Sequence, residues 1–272
     1  MKKKNQSLSS VHIKSVFELY SNGQIKEALD TVEVLIKDYP NESLLFNIRG
    51  VCYKAINQVD ASVESFEKAL TIKSDDIMAY FNLGIIYMEI GQLESAVKFY
   101  EKVLILNPNY FDAHYNLGIT FEELGKLDSS VKSYEKVIDI KPDHVASYNN
   151  LGAVLNKLGR QEDAVKSYKK AIAIKPDFAD ACNNLGNVLK DLGQLDLAVI
   201  SFKKAIAIKP DFVEALNNLG ISIYKLGQLD LAVISFKKAI AIKPDFADAH
   251  NNLGITLDDL GQLDLAVISF KK

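Results

Sequence analysis

The stretch ADACNNLGNVLKDLGQLDLAVISFKKAIAIKPDF, from Ala179 to Phe212, decides the fold. Two helix-favouring runs, Ala179–Leu192 and Leu195–Lys209, are separated by Gly193-Gln194. Gly193 can take the left-handed conformation that closes a helix and Pro210 cannot continue one, so both runs are predicted helices with defined ends. Asp211, just after the proline, is suited to cap the helix that follows. Asp211 with Glu214, Asp177 with Asp180 and Asp245 with Asp248 resemble capping boxes, although the box proper has Glu or Gln second. In the second run Leu195, Ala198, Val199, Phe202, Ala205 and Ile206 fall at i, i+3, i+4, i+7, i+10 and i+11. That is an apolar stripe of helical period, and it must pack. Gly186 and Ala198 leave room for the two helices to approach, with Phe202 beside them.

Outward from this stretch the pattern recurs along the chain. Gly50, Gly84, Gly118, Gly152, Gly186, Gly220 and Gly254 each lie 34 residues after the last, and Gly23, Gly91, Gly125, Gly159, Gly193, Gly227 and Gly261 form a second series. The two series use all fourteen glycines, leaving none for a phosphate-cradling loop. The six prolines share one register, with Ser74 in the slot where another is expected. A two-helix unit alone buries too little surface, so stability must come from stacking neighbours in a line.

Composition narrows the function. The 272 residues are 48% hydrophobic and 25% charged, with a net charge of −3, so the chain is globular and offers no global field for gripping nucleic acid. Cys52 and Cys182 stand far apart in no metal-binding or redox spacing, which fits a reducing, cytoplasmic setting. No apolar run reaches transmembrane or signal-peptide length, so no membrane insertion is expected. His12, His114, His144 and His250 form no metal-ligand doublet, and no nucleophile elbow occurs. No metal, cofactor or catalytic residue is therefore expected, and the chain is read as non-enzymatic. His114 and His250 are read as packing residues.

Asn184-Leu185-Gly186, Ala198, Phe202, Ala205 and Pro210 resemble the tetratricopeptide repeat (TPR) pattern, whose period is also 34 residues. The resemblance divides the chain into seven units at 43–76, 77–110, 111–144, 145–178, 179–212, 213–246 and an incomplete 247–272. A divergent capping unit at 9–42 keeps Gly23, Ala28 and Pro40 but has Val16 where the others have Gly; residues 1–8 read as a disordered basic tail. The family's early aromatic is Phe46, Tyr80 and Tyr148 in some units and His114, Cys182, Leu216 and His250 in others, and Trp is absent. The resemblance implies an all-α fold, a right-handed α-solenoid superhelix of about eight 34-residue helix-turn-helix units. It also implies a protein-protein interaction scaffold, with first helices lining a concave groove in which extended peptides lie.

Asn82, Asn116, Asn150, Asn184, Asn218 and Asn252 occupy one register of those first helices. Asparagine costs roughly half a kcal/mol relative to alanine inside a helix, so six in one register point to a use. Its amide can accept from and donate to a passing backbone. The row resembles the asparagine ladder in the superhelical arm of O-linked N-acetylglucosamine transferase. It is read as a peptide-binding ladder, as amides that bond a neighbouring repeat's backbone, or as a residue copied along with its duplicated unit. The preceding residues, Phe81, Tyr115, Asn149, Asn183, Asn217 and Asn251, are expected to set groove specificity. On the second helices Leu197 and Ile200, Leu231 and Ile234, and Leu265 and Ile268 replace polar residues of earlier units. In this family these positions face outward, so the pairs suggest a contact strip for self-association or a docked partner. The chain stops inside a second helix, which reads as a frayed end or as a piece of a longer protein. Two functions follow: a free-standing scaffold for protein partners, or the substrate-recruiting arm of a larger enzyme such as a glycosyltransferase.

Overall fold

The computed structural model describes residues 8–272. The expected basic tail lies, except for Leu8, outside the described residues. Those residues form sixteen helices and no strand. In chain order they are α1 (Ser10–Ser21), α2 (Ile25–Asp38), α3 (Ser43–Ala55), α4 (Val59–Ile72), α5 (Ile77–Glu89), α6 (Leu93–Leu106), α7 (Phe111–Glu123) and α8 (Leu127–Ile140). They continue as α9 (Val145–Lys157), α10 (Gln161–Ile174), α11 (Ala179–Asp191), α12 (Leu195–Ile208), α13 (Val213–Lys225), α14 (Leu229–Ile242), α15 (Ala247–Asp259) and α16 (Leu263–Phe270). Successive helices pair as helix-turn-helix hairpins, as the punctuation predicts. The chain falls into two compact units, one ending at Lys126 and the other covering Leu127–Lys272. That boundary falls at the turn inside the 111–144 repeat, not between repeats.

The turn inside a hairpin closes as a Schellman motif. Gly193 has φ +73°, its N–H donates to the Lys190 carbonyl at 3.1 Å, and the Gln194 N–H donates to the Leu189 carbonyl at 2.8 Å. These bonds satisfy the last carbonyls of α11. In the same slot Asn57 has φ +60°, a conformation asparagine tolerates better than most residues.

The turn between hairpins departs from the expected capping. Helix α13 begins at Val213 with Phe212 at its N-cap and no side-chain cap bond, so Asp211 lies one residue outside the capping position. Phe178 and Phe246 take the same place before α11 and α15, displacing Asp177 and Asp245 likewise. The Lys-Pro-Asp-Phe segment is instead a closed turn: the Phe212 N–H donates to the Lys209 carbonyl at 3.1 Å, and the Lys209 ammonium sits 4.8 Å from the Phe212 ring centre. Among the described residues, side-chain N-caps come from Ser9 and Asp76. Asp76 stands where the Lys-Pro-Asp-Phe turn has its Phe, and it accepts from the Met78 and Ala79 N–H groups at 3.1 and 3.3 Å.

Within a hairpin the helices meet at a glycine and an aromatic ring sixteen residues on. A Cβ placed on Gly186 would lie 2.6 Å from the Phe202 ring, and one on Gly84 would lie 2.5 Å from the Tyr100 ring. Phe202 and Tyr100 are fully buried, as are Ala198, Ala205 and the first repeat's Val16. Between hairpins, α12 packs on α13 and α14 on α15. First helices also touch first helices, α9 to α11, α11 to α13 and α13 to α15 in one unit, and α3 to α5 and α5 to α7 in the other. Within each unit, second helices of successive repeats show no comparable contact among the described residues. In each unit, therefore, the first helices crowd together on one side.

Candidate functional site

The asparagine register sits on that crowded side. Asn82 on α5, Asn116 on α7, Asn150 on α9, Asn184 on α11, Asn218 on α13 and Asn252 on α15 each precede a buried leucine and a buried glycine. The leucine faces the core, which holds the amide at its edge, partly buried.

The amides are not idle. Asn82 Nδ2 donates to the Met78 carbonyl at 2.8 Å, within its own helix. Asn116 Nδ2 donates to the Tyr100 hydroxyl at 3.3 Å and Asn150 Nδ2 to the Tyr134 hydroxyl at 3.5 Å, each sixteen residues back. Asn184 Nδ2 donates to Asn149 Oδ1 at 3.2 Å and Asn252 Nδ2 to Asn217 Oδ1 at 3.0 Å, each joining two repeats. The residue sixteen before Asn218 is Phe202, which has no hydroxyl, and the Asn218 side chain makes no such bond. Its would-be acceptor by the inter-repeat pattern, Asn183 Oδ1, is buried and unpartnered. Asn82, Asn116, Asn184 and Asn252 each spend one N–H of two and keep further hydrogen-bonding capacity, whereas Asn150 also accepts from Asn149 Nδ2 at 3.4 Å. Asn116, Asn150, Asn184 and Asn252 thus each bond a side chain of the preceding repeat rather than its backbone.

The positions expected to set groove specificity separate into two kinds. Asn183 and Asn217 are each 7% exposed, so they belong to the interior rather than to a guest-facing surface. Asn149 and Asn217 act as acceptors for the next repeat. The close approach of first helices covers them. Asn251 is exposed, while Phe81 and Tyr115 are half-buried. Phe81 packs 5.9 Å from the Tyr100 ring and 5.1 Å from the Tyr110 ring, and Tyr115 stacks 6.5 Å from Phe111.

Two participants escaped the sequence reading. Asn47 lies in the register of Phe81, one repeat earlier, and it is buried with Nδ2 donating to Asp76 Oδ2 at 2.9 Å. The 34-residue spacing from Phe81 was the available signal. The second is the alternation of Tyr100, Tyr134 and Tyr168 with Phe66, Phe202 and Phe236, which supplies or withholds a hydroxyl for the amide sixteen residues later.

The remaining candidates are placed as follows. His250 Nε2 donates to the Pro244 carbonyl and His114 Nε2 to the Pro108 carbonyl, both at 2.9 Å, as the Tyr80 hydroxyl does to the Ser74 carbonyl at 3.1 Å. These rings tie a first helix to the turn before it. Burial pushes the Cys52 thiol up to about 11 and raises Cys182 too, so neither is a ready nucleophile. Burial also lifts the Tyr100 hydroxyl well above its ordinary range, partly countered by its bond from Asn116. No cluster of three or more metal-ligating side chains occurs among the described residues, and no helix there is long and apolar enough to cross a membrane. Leu197, Ile200, Leu231, Ile234, Leu265 and Ile268 are all exposed, between 47% and 62%.

Stacked helical hairpins of 34 residues, with one polar register along their first helices, define an α-helical repeat protein. The sequence matches the TPR repeat family at residues 52–91, 84–125, 120–159, 153–193, 186–227 and 222–261, and the chain belongs to that family. Among curated protein sequences none matches it. Solved structures do. A crystal structure of MamA protein is 29% identical with TM-score 0.59, over 63% of this chain and 93% of that one. YrrB, described as a TPR protein with an unusual peptide-binding site, is 26% identical with TM-score 0.60, over 69% and 96%. The C-terminal part of a TPR repeat-containing protein from Cytophaga hutchinsonii, 18% identical, matches with TM-score 0.76 over 88% and 98%, a likeness of fold.

Proposed function

We propose that this chain is a non-catalytic scaffold that holds other polypeptides in extended form along its first helices. The observation that carries the reading is the asparagine register on the side where first helices crowd together. An extended guest has backbone N–H and C=O groups to satisfy, and a row of amides offers both complements without reading side chains. Asn82, Asn116, Asn184 and Asn252 each keep an N–H for a guest carbonyl. Asn218, unengaged, offers its whole amide. The peptide-binding site described for YrrB, a relative in fold and sequence, supports the same use here. Selectivity would come from the accessible neighbours, apolar at Phe81 and Tyr115 and polar at Asn251.

The test replaces all six asparagines by alanine and titrates both proteins with peptides selected on the unaltered chain from a displayed random library. A net hydrogen bond contributes about 0.5–1.5 kcal/mol. Losing three rungs therefore weakens binding by about tenfold or more. The loss should be shared by unrelated peptide sequences, with helical circular dichroism retained. Unchanged affinity in a folded variant would contradict the proposal.

A further inference from the structure

The second helices of the last three repeats carry a surface that the amide row does not use. Leu197 and Ile200 on α12, Leu231 and Ile234 on α14, and Leu265 and Ile268 on α16 point to solvent, although each helix buries its Ala and Ser positions inward. Equivalent sites in α8 and α10 carry Ser129 and Lys132, and Asp163 and Lys166. The apolar pairs are thus confined to three consecutive repeats of the unit Leu127–Lys272. Exposed apolar side chains aligned in this way mark contact surfaces.

Charge indicates what covers them. Each pair stands between an exposed acid on its N-terminal side and exposed lysines on its C-terminal side: Asp196 before and Lys203-Lys204 after, Asp230 before and Lys237-Lys238 after. On α16 Asp264 precedes the pair and Lys271 follows it. At spacing i, i+3 and i+7, Leu197, Ile200 and Lys204 share one stripe, as do Leu231, Ile234 and Lys238. The order acid, apolar, base therefore repeats on three helices. A surface of the same order running the opposite way complements all three at once. A second copy turned by a two-fold axis supplies that surface, since a two-fold interface is self-complementary.

We propose that this face joins two copies of the chain, with the axis beside α14, so that α14 meets its own copy and α12 meets the partner's α16. Leu231 and Ile234 form the apolar centre, and Asp230 of each copy faces Lys238 of the other. An apolar core rimmed by charge is the usual anatomy of a protein interface.

Sedimentation equilibrium on the full chain tests this. The unaltered protein should dimerise reversibly, and Leu231→Lys, which acts twice at the axis, should raise the dimer dissociation constant by about tenfold or more. Leu231 is half exposed, so the variant keeps its helical spectrum. Asp230→Lys and Lys238→Asp should each weaken self-association through like-charge contact, and mixing the two variants should restore a dimer. A strict monomer at all concentrations overturns the proposal, as does a dimer indifferent to Leu231→Lys or a charge pair that fails to rescue. Peptide titration of the Leu231→Lys variant separates this face from the amide row: its affinity should match that of the unaltered chain.

Discussion

Gly186 illustrates how a single hydrogen atom sets the geometry of a hairpin. Its missing Cβ is what lets the Phe202 ring lie against α11, because that atom would sit 2.6 Å from the ring. The ring is fully buried and cannot swing out. Gly186→Ala should therefore destabilise the chain by about 1–3 kcal/mol through overpacking, despite alanine's better helix propensity. Urea unfolding measures this, and stability unchanged or raised would show that the contact relaxes freely. The smaller ring-for-aliphatic change Phe202→Leu should lessen the penalty when combined with it. At this scale the sequence was partly legible. The role of Gly186 beside Phe202 followed from the helical stripe. That Asn116 and Asn150 lean on a tyrosine of the preceding repeat's second helix, whereas Asn184 and Asn252 lean on an asparagine of its first helix, required coordinates, because residues sixteen or thirty-five apart meet only once the hairpins stack.

Among elements, helices and their C-terminal glycine stops were readable because glycine and proline act locally, through φ and the missing N–H. N-terminal ends were not. An aspartate after proline satisfies the general preference for capping residues, yet Phe212 fills the N-cap because its ring is buried and its N–H closes the turn on Lys209. Tertiary packing outweighed local propensity at that point. Helix α5 is capped instead by Asp76, whose second oxygen also accepts from buried Asn47. Asp76→Ala removes the cap and strands the Asn47 amide, whose Oδ1 already lacks a partner. The expected cost is about 1–3 kcal/mol. Asp76→Asn, which can still cap, should lose less. Thermal unfolding of the two variants checks the ranking, and equal stability for Asp76→Ala and the unaltered chain would remove the cap from consideration.

For the whole molecule, the 34-residue period could be read from punctuation and the family from the resemblance of Asn184-Leu185-Gly186, Ala198, Phe202, Ala205 and Pro210, whereas the compact units could not: their boundary at Lys126 falls within a repeat. Net charge of −3 leaves recognition to local chemistry rather than to long-range attraction. The proposed scaffold and the proposed dimer use two surfaces of different kinds, partly engaged amides along first helices and exposed Leu/Ile pairs on the last second helices. The first suits an extended main chain, the second a copy of the same face. Packed helices lie about 8–10 Å apart. An extended chain rises about 3.3 Å per residue. First helices that touch their counterparts in the next repeat should thus present an amide to roughly every third residue of a guest. A scan of backbone N-methylation along one bound peptide tests this most directly. Methylation should weaken binding by about tenfold at sites recurring at that interval, where it removes the guest's N–H, and have little effect between them. Binding that tolerates every N-methyl group but is abolished by exchanging individual guest side chains would contradict recognition through the main chain.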